Sequence, residues 1–207
     1  MTLPGLVADA VVTGYSLLLD ILRVGLSPIL RGISGQKGWD IDKRQKLPSP
    51  IRDFRGKRVI WLHGASMGEA KLLLKFYTML RERHPDDLYL VTATTRTGVA
   101  FLEQNRKNNF CAIGYQPIDT LSLVTRVVSH YNVARLWLLE TELWPAMLRV
   151  CKRRGIPVGI VNGRIEEASY NRYRRFRRLF SELLAPVDIV LAQSEAYAKR
   201  FIDLGVD

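Results

Sequence analysis

From residue 57 onward, short apolar runs alternate with longer segments in which apolar residues recur every three or four positions. Runs rich in β-branched and aromatic residues predict strands, and the three-to-four spacing predicts amphipathic helices. The predicted strands are 58–63, 88–94, 111–115, 135–139, 157–161 and 187–192. The predicted helices are 68–83, 97–104, 120–130, 143–154, 166–184 and 194–204.

Strand and helix alternate along the chain, and the strands are apolar on both faces. This pattern predicts an α/β domain with a Rossmann-like parallel sheet and helices on both faces. Ligands bind such sheets beyond the carboxyl ends of the strands, so the strand-to-helix turns are the candidate site. No turn matches Gly-x-Gly-x-x-Gly or the phosphate loop, so the sequence does not predict a dinucleotide or triphosphate site in this chain.

An apolar segment, residues 5–30, precedes this pattern. Its polar residues are spaced by three or four positions and form one narrow stripe: Asp9, Thr13, Ser16, Asp20, Arg23 and Ser27. This spacing predicts an amphipathic helix with a wide apolar face. The longest uncharged stretch, Ala10–Leu19, is shorter than the roughly 20 residues of a membrane span. The helix could lie in a membrane interface or dock on the domain, and the pattern alone leaves both open.

Basic residues dominate the composition and cluster behind this helix. The formal net charge of the 207 residues is +11, and residues 31–58 hold nine Lys or Arg against three Asp. A basic segment beside an apolar helix favours an anionic membrane surface, so we predict peripheral or monotopic attachment on the cytoplasmic side. The chain is thus divided into a membrane-associated helix (1–30), a basic connector (31–56) and a sheet lobe (57–207).

A second basic cluster, within residues 172–178, is interleaved with aromatic residues. A helical wheel places Tyr173, Phe176, Phe180 and Leu183 on one face, opposite Arg174, Arg175 and Arg178. The wheel therefore predicts that the aromatic rings belong to the core and that the arginines form a solvated or membrane-facing surface. Nucleic acid is not a predicted partner.

Metal ligands and paired cysteines are not indicated. Cys111 and Cys151 lie forty residues apart, and the three histidines show no ligand spacing with them or with each other. We therefore predict two reduced thiols, no metal site and no cofactor.

The first strand-to-helix turn is His63-Gly-Ala-Ser-Met-Gly-Glu69. Its small residues allow close approach of a ligand, and the following helix N-terminus offers free N–H groups to an anion. Glu69 would stand at the mouth of the sheet, where a carboxylate can act as a general base. Ser66 and Glu69 also form a Ser-x-x-Glu capping box, in which Glu69 only caps its own helix. The spacing leaves both roles open.

Three further turns carry polar residues. Glu140 and Glu142 follow a buried strand, and either complement the positive end of the helix that begins at Pro145 or belong to a site. Arg164, in the fifth turn, and Arg96, in the second, suit a phosphorylated ligand because guanidinium binds phosphate with two hydrogen bonds.

Together the turns resemble the Kdo (3-deoxy-D-manno-octulosonic acid) transferases over nearly the whole chain. The motifs, in order, are His63-x-x-Ser66-x-Gly68-Glu69, Thr95-x-Thr97-Gly98, Pro117-x-Asp119, Glu140-Thr-Glu-Leu-Trp-Pro145, Gly155-Ile-Pro157, Asn162-x-Arg164 and Ala192-Gln-Ser-Glu195. The Ser-x-Gly-Glu and Glu-Thr-Glu-Leu-Trp-Pro motifs are specific, and the others are weak singly. Two positions depart from the usual pattern: Arg96 stands where Pro is common, and Gly163 where Ala is common.

The resemblance implies the N-terminal, acceptor-binding lobe of a GT-B glycosyltransferase. Its reaction would be an inverting, metal-independent transfer of Kdo from CMP-Kdo to the lipid A precursor lipid IVA at the inner membrane, in lipopolysaccharide biosynthesis. Glu69 would be the general base and Glu140 would support the transition state. The tentative acceptor-binding residues are Ser66, Gly68, Arg96, Thr97, Glu142 and Arg164.

The family would continue beyond residue 207 into a lobe that binds CMP-Kdo, so we expect this chain alone to be inactive. Two alternatives remain at this stage. One is a non-catalytic module that binds a membrane or the acceptor, and the other is a GT-B transferase that uses a different nucleotide sugar.

Overall fold

The computed structural model describes residues 3–25 and 40–206. The strands are β1 (Ser49–Pro50), β2 (Val59–His63), β3 (Leu88–Ala93), β4 (Phe110–Tyr115), β5 (Val133–Leu139), β6 (Val158–Gly163) and β7 (Val187–Ala192). The helices are α1 (Leu3–Gly25), α2 (Ile41–Arg44), α3 (Met67–Arg83), α4 (Arg96–Gln104), α5 (Leu121–Tyr131), α6 (Pro145–Arg154), α7 (Glu167–Arg175), α8 (Arg177–Leu184) and α9 (Glu195–Asp203).

The strands form one sheet in the order β1-β4-β3-β2-β5-β6-β7. All neighbouring pairs are parallel except β1, which pairs antiparallel with β4. The predicted α/β fold with a Rossmann-like parallel sheet is confirmed. Strands β2 and β5 are neighbours although β3 and β4 separate them in sequence, so the order of the strands reverses between them. Such a reversal opens a crevice at the carboxyl ends of the two strands.

Two hydrophobic cores lie on opposite faces of the sheet. In β2, Val59 and Trp61 belong to one core, while Ile60 and Leu62 belong to the other. Helices α3 and α4 cover the second core, and α5, α6 and α8 contribute to the first. This alternation explains why each central strand is apolar at every position.

Helix α1 packs on the lobe through its polar stripe. Asp9 forms ion pairs with Arg149 and Arg153 of α6, and the Ser16 hydroxyl accepts a hydrogen bond of 2.8 Å from the Leu121 N–H at the start of α5. The side chains on the opposite face are exposed and apolar: Leu3, Leu6, Val7, Val11, Leu17, Leu18, Ile21 and Val24. The helix is thus amphipathic in the reverse sense to that of an ordinary surface helix. Ser27, the last residue of the predicted stripe, lies outside the described residues.

Helix α1 is also long and apolar enough, by length and composition, to cross a membrane. Its packing along α6 and α8 leaves it lying on the lobe. A spanning orientation would require Asp9 to leave its arginine partners, Arg149 and Arg153.

The described part of the basic connector, residues 40–56, packs on the sheet. Strand β1 pairs with β4, and the Tyr131 hydroxyl donates a hydrogen bond to the Pro48 carbonyl. Arg44 is buried, and its Nε donates to the Gln116 carbonyl at 3.1 Å. Arg44 is therefore not available to a membrane, although sequence counts it among the basic residues of this segment. Arg31 and Lys37 lie outside the described residues.

The predicted helix 166–184 is two helices, α7 and α8. Phe176 separates them with φ −118° and ψ 36°, which is not a helical conformation. Because the break ends the continuous helical wheel, Phe176 leaves the predicted aromatic face, while Tyr173 still packs against the first core. Phe176 is 60% exposed, and Tyr173 and Phe180 are partly buried and stack at 4.2 Å between ring centroids. The prediction that these rings belong to the core is wrong for Phe176.

Both cysteines are free, as predicted, and both are buried. Burial raises the pKa of the Cys111 and Cys151 thiols to about 12. Both thiols are therefore protonated at neutral pH.

Candidate active site

Glu69 forms the complete capping box with Ser66 at the start of α3. Its Oε2 accepts a hydrogen bond of 2.7 Å from the Ala65 N–H, and its Oε1 accepts from the Ser66 N–H at 3.2 Å and the Ser66 hydroxyl at 2.8 Å. The Glu69 N–H donates in return to Ser66 Oγ at 3.3 Å. The capping role that the spacing predicts is confirmed.

The capping bonds leave room for a further role. A carboxylate offers about four acceptor positions, and these contacts use three of them. Glu69 is partly exposed, at the crevice between β2 and β5. Gly64 packs directly beneath it, since a Cβ at that position would lie 3.1 Å from the Glu69 Cβ. The carboxylate is therefore held in one orientation and keeps one acceptor position for a ligand hydroxyl.

His63, at the end of β2, is a packed histidine. It is fully buried, and its Nδ1 lies 3.2 Å from the Thr92 carbonyl oxygen and 3.0 Å from the Thr92 hydroxyl. Burial lowers the pKa of His63 to about 3. The imidazole is therefore neutral at physiological pH.

The second turn, between β3 and α4, supports the first. The N–H groups of Thr94 and Thr95 both donate to the Ala65 carbonyl, at 3.0 and 3.1 Å. A Cβ at Gly98 would lie 2.9 Å from the Ala93 Cβ and 3.3 Å from the Ser66 carbonyl carbon, so only glycine fits there without displacement. The Thr-x-Thr-Gly motif is thus a clamp on the turn that carries Glu69.

Arg96 and Thr97 are exposed on the outer side of this clamp. Arg96 lines a cavity of about 390 Å³ together with Lys43 and Lys46. The Thr97 hydroxyl lies 3.3 Å from the Thr95 hydroxyl. This cavity carries three cations against the single carboxylate of Glu103, so its chemistry suits an anionic group.

The fourth and fifth turns are joined to each other. Glu140 has φ +58°, and its carboxylate lies 3.2 Å from the Arg164 guanidinium. The Arg164 N–H donates to the Thr141 hydroxyl at 3.0 Å, and that hydroxyl donates to the Arg164 carbonyl. A left-handed conformation costs a non-glycine residue about 1–2 kcal/mol. Such strain clusters at functional sites, and Asn162 in the next turn shares it with φ +59°.

Glu142 is partly buried in the crevice. Burial, and next the negative charge of Glu69, raise the pKa of Glu142 to about 7. Glu142 therefore carries a proton in a large fraction of molecules at neutral pH. The neighbouring carboxylate of Glu69 favours this protonated form. Glu140, Glu142 and Arg164 line one cavity of about 200 Å³.

Asp119 caps α6 from the end of β4, a role that sequence reasoning missed. It is 2% exposed, and its carboxylate accepts hydrogen bonds from the Ala146 N–H at 3.0 Å and the Met147 N–H at 2.9 Å. The N-cap residue of α6, Trp144, makes no capping bond with its own side chain. Asp119, and not Glu140 or Glu142, therefore satisfies the first turn of this helix. Glu140 and Glu142 therefore do not cap α6, and both lie at the crevice.

Arg44 and Tyr15 surround Asp119. The Tyr15 hydroxyl hydrogen-bonds the Asp119 carboxylate, and the charge of Arg44 acts on both Asp119 and Glu142. Burial raises the pKa of Asp119 to about 6, with the bonds from Ala146, Met147 and Tyr15 opposing it. This cluster connects α1 to the candidate site. The Pro-x-Asp motif was the only sequence signal for it, and nothing in the periodicity of α1 marks Tyr15.

The structure thus gathers Glu69, Glu140, Glu142 and Arg164 at the crevice between β2 and β5 and on the adjoining turn of β6. Ser66 and Gly68 belong to the turn that holds Glu69, whereas Arg96 and Thr97 lie on the β3 side. Among residues 3–25 and 40–206, no group of three or more His, Cys, Asp or Glu side chains could hold a metal ion.

Comparison with known proteins identifies the family that the chain resembles. The family model of 3-deoxy-D-manno-octulosonic-acid transferase (kdotransferase) matches residues 40–207. A 3-deoxy-D-manno-octulosonic acid transferase of Chlamydophila psittaci is 31% identical over 196 residues, which cover 92% of this chain and 44% of the relative. One from Chlamydia trachomatis is 28% identical over 72% of this chain and 34% of its own length. A bifunctional glycosyltransferase/methyltransferase of Fusobacterium nucleatum is 29% identical over 78% of this chain and 25% of its own length.

A solved structure shows a similar fold. It is a putative UDP-N-acetylglucosamine 2-epimerase from Listeria monocytogenes, with a TM-score of 0.51 and 15% identity over 73% of this chain and 43% of that one. The chain therefore spans less than half the length of the relatives and of the solved structure that it matches.

Proposed function

Because the chain belongs to the 3-deoxy-D-manno-octulosonic-acid (Kdo) transferase family, we propose that it is the acceptor-binding, N-terminal lobe of a GT-B enzyme of lipopolysaccharide biosynthesis. The enzyme transfers Kdo from CMP-Kdo to lipid IVA, with inversion and without a metal ion. The observation that carries the proposal is the position of Glu69. It is rigidly capped, has one free acceptor position, and faces the crevice shared with the turn of Glu140.

In the proposed reaction Glu69 takes the proton of an acceptor hydroxyl. The oxygen's electron pair forms a bond to the anomeric carbon of Kdo, and the bond to CMP breaks with its electron pair leaving on the phosphate. Glu140 and its Arg164 partner face the anomeric centre as its charge develops. Glu142, protonated in a large fraction of molecules, donates a hydrogen bond to the acceptor or to Kdo.

Arg96, with Lys43 and Lys46, receives an anionic group of the acceptor, such as a phosphate. Ser66, Gly68 and Thr97 shape the turns on either side of the acceptor hydroxyl. CMP-Kdo is bound mainly by a lobe outside this chain, because no turn of the described sheet carries a nucleotide-phosphate fingerprint.

The base assignment is tested in the complete enzyme by Glu69→Gln. We expect kcat to fall by about 10²–10⁴-fold with CMP-Kdo binding unchanged, which is the usual size of a general-base contribution. Glu82→Gln removes an exposed carboxylate from the same helix and serves as the matched control. The loss of a helix cap costs only about 1 kcal/mol and leaves the protein folded. A folded Glu69→Gln enzyme with near-normal kcat would show that Glu69 is only a cap.

Attachment to a membrane is proposed from the outward face of α1. Eight large apolar side chains on this face are between 48% and 75% exposed. Burying such side chains in the interface would contribute about 1.5–3 kcal/mol each at full burial. The basic composition favours the anionic cytoplasmic face of the inner membrane.

Vesicle flotation of the chain tests this attachment. Leu17→Ser/Ile21→Ser should lower the bound fraction strongly. Met79→Ser/Ile202→Ser removes two equally exposed apolar side chains outside α1, 60% and 61% exposed, and should not. Equal losses from the two pairs would rule out α1 as the membrane contact.

A further inference from the structure

A cavity of about 480 Å³ lies between the first turn of α1 and the junction of α7 with α8, away from the crevice that holds Glu69. Its apolar lining is formed by Leu3, Pro4, Val7, Phe176 and Leu179. Its other lining residues are all arginines: Arg174, Arg175, Arg177 and Arg178. A cavity of this size is within the range of small-ligand pockets. Its lining divides into one apolar part and one cationic part.

The positive charge of this cavity is not neutralised within the described part of the chain. None of its four arginines lies within ion-pair distance of a carboxylate there. Arg174 lies over the Tyr170 ring, and Arg177 donates to the Asp203 carbonyl. For Arg175 and Arg178 no side-chain hydrogen bond or ion pair is formed within residues 3–25 and 40–206. These two guanidinium groups are therefore available to an anion.

The break at Phe176 brings the apolar and cationic parts together. A continuous helix would have carried Phe176 toward the lobe, whereas the break leaves its ring 60% exposed beside Leu3 and Val7, which are 75% and 51% exposed. Leu3 and Val7 also belong to the outward face of α1. The cavity therefore opens on the side of the molecule that is proposed to meet the membrane.

We propose that this cavity binds one anionic glycerophospholipid of the membrane. Arg175 and Arg178 hold the phosphate diester, and one acyl chain lies along Leu3, Val7 and Phe176. Arginine binds phosphate oxygens with two hydrogen bonds, and the apolar lining offers nothing to a free inorganic anion. The inference rests on the proposed membrane attachment, and it adds a specific lipid site to a surface that would otherwise attract any anionic bilayer.

The site is tested apart from the bilayer with dihexanoylphosphatidylglycerol below its micelle concentration, titrated into the whole chain by calorimetry. Arg175→Gln/Arg178→Gln should weaken binding about 25-fold, since each basic residue near an anionic lipid contributes about fivefold. Lys75→Gln/Arg83→Gln removes the same charge from exposed positions of α3, on the other face of the sheet, and should change affinity less than twofold. Inorganic phosphate, the second probe, should bind far more weakly than the lipid.

Two outcomes would overturn the site. One is an equal loss of lipid affinity in the two charge variants, which would mean that binding depends only on net charge. The other is inorganic phosphate binding as tightly as the lipid, which means that the apolar lining takes no part. All four substitutions are at exposed positions, so circular dichroism of each variant should match that of the parent chain.

A parallel measurement separates this inference from the membrane attachment itself. Leu17→Ser/Ile21→Ser should lower flotation with phosphatidylglycerol vesicles yet leave the short-chain lipid affinity unchanged, because neither residue lines the cavity. If the chain binds vesicles but not the short-chain lipid, the site is refuted and the attachment stands. If it binds the short-chain lipid but no vesicle, the attachment is refuted and the site stands.

Discussion

At the scale of single residues, the candidate site depends on two neighbouring carboxyl groups in different environments. Glu69 has both oxygens occupied by donors from its own turn, and it remains partly exposed. Glu142 is more deeply buried and faces the charge of Glu69, which together raise its pKa to about 7. Environments that separate two carboxyl groups in this way commonly assign one to accept a proton and the other to hold one.

The raised pKa of Glu142 makes the stability of the chain depend on pH. Because the folded protein binds this proton more tightly than the unfolded chain, its stabilising effect is complete below pH 4.5 and is lost as pH rises through about 7. Glu142→Gln should therefore match the parent chain near pH 4.5. At pH 8 it should be more stable, by on the order of 1 kcal/mol after allowance for partial solvent exposure.

Urea unfolding of both proteins at pH 5 and pH 8 measures this effect, with the exposed Glu82→Gln as control. If the stability difference between Glu142→Gln and the parent chain is the same at both pH values, or larger at pH 5, the raised pKa of Glu142 is contradicted.

Some residues of the candidate site can be predicted from the sequence, and others cannot. The Ser66–Glu69 capping box and the strand-to-helix turns follow from spacing, because a capping box is a local interaction. Asp119 caps a helix that begins 26 residues later in the chain, and Tyr15 reaches it from the opposite end of the sequence. Contacts between distant segments leave no periodic trace, and so these two residues could not be placed from the pattern.

At the scale of elements, α1 is attached by ion pairs and hydrogen bonds more than by apolar contact. Its buried residues are Gly5, Ala8, Val12 and Ser16, three of them no larger than serine. Asp9 supplies the charge opposite Arg149, which is 4% exposed, and the hydrogen bond from Arg149 holds the pKa of Asp9 below its usual range. The amphipathic spacing predicted the polar stripe correctly. Spacing could not tell that the stripe faces the protein, since an ordinary helix would turn it to solvent.

Asp9→Asn should destabilise the chain by about 2–3 kcal/mol, because it leaves Arg149 buried without its counter-charge. This expected loss of stability is at or just below the lower end of the range for breaking a buried ion pair, because 18% of the Asp9 side chain remains exposed. Asp53→Asn breaks an exposed ion pair with Arg55, whose side chain is 86% exposed, and should leave the stability nearly unchanged.

Urea unfolding at pH 7 compares these two variants. Because the pKa of Asp9 is lowered in the folded state, its contribution is present above the ordinary aspartate pKa and declines as pH falls below it. Asp9→Asn and Asp53→Asn of equal stability would contradict the attachment of α1 through Arg149.

At the scale of the whole molecule, helix α1, the proposed membrane contact, and the candidate crevice are connected through one cluster. Ser16 binds the start of α5, and Tyr15 binds Asp119, which caps α6 and so positions the turn of Glu140 and Glu142. The predicted sheet and the order of its turns are enough to place the carboxylates at one edge, because parallel strands end together. The broken helix at Phe176, in contrast, depends on tertiary packing that overrides helical spacing, and the cavity beside it was therefore not foreseen.

We propose that this chain and the remaining part of its relatives' sequences bind different substrates, and the last prediction follows from this proposal. The chain covers 44% of the Chlamydophila psittaci relative, and its described sheet has no nucleotide-phosphate turn, so donor binding is assigned to a second lobe. Incubated with CMP-Kdo and lipid IVA, the chain alone should release no CMP above background, while it still binds anionic vesicles. The complete enzyme is the positive control, and its Glu69→Gln variant sets the level of chemistry without a base. CMP release by the chain at a rate above that variant would mean that the donor site lies within residues 1–207, and the assignment of the two lobes would have to be abandoned.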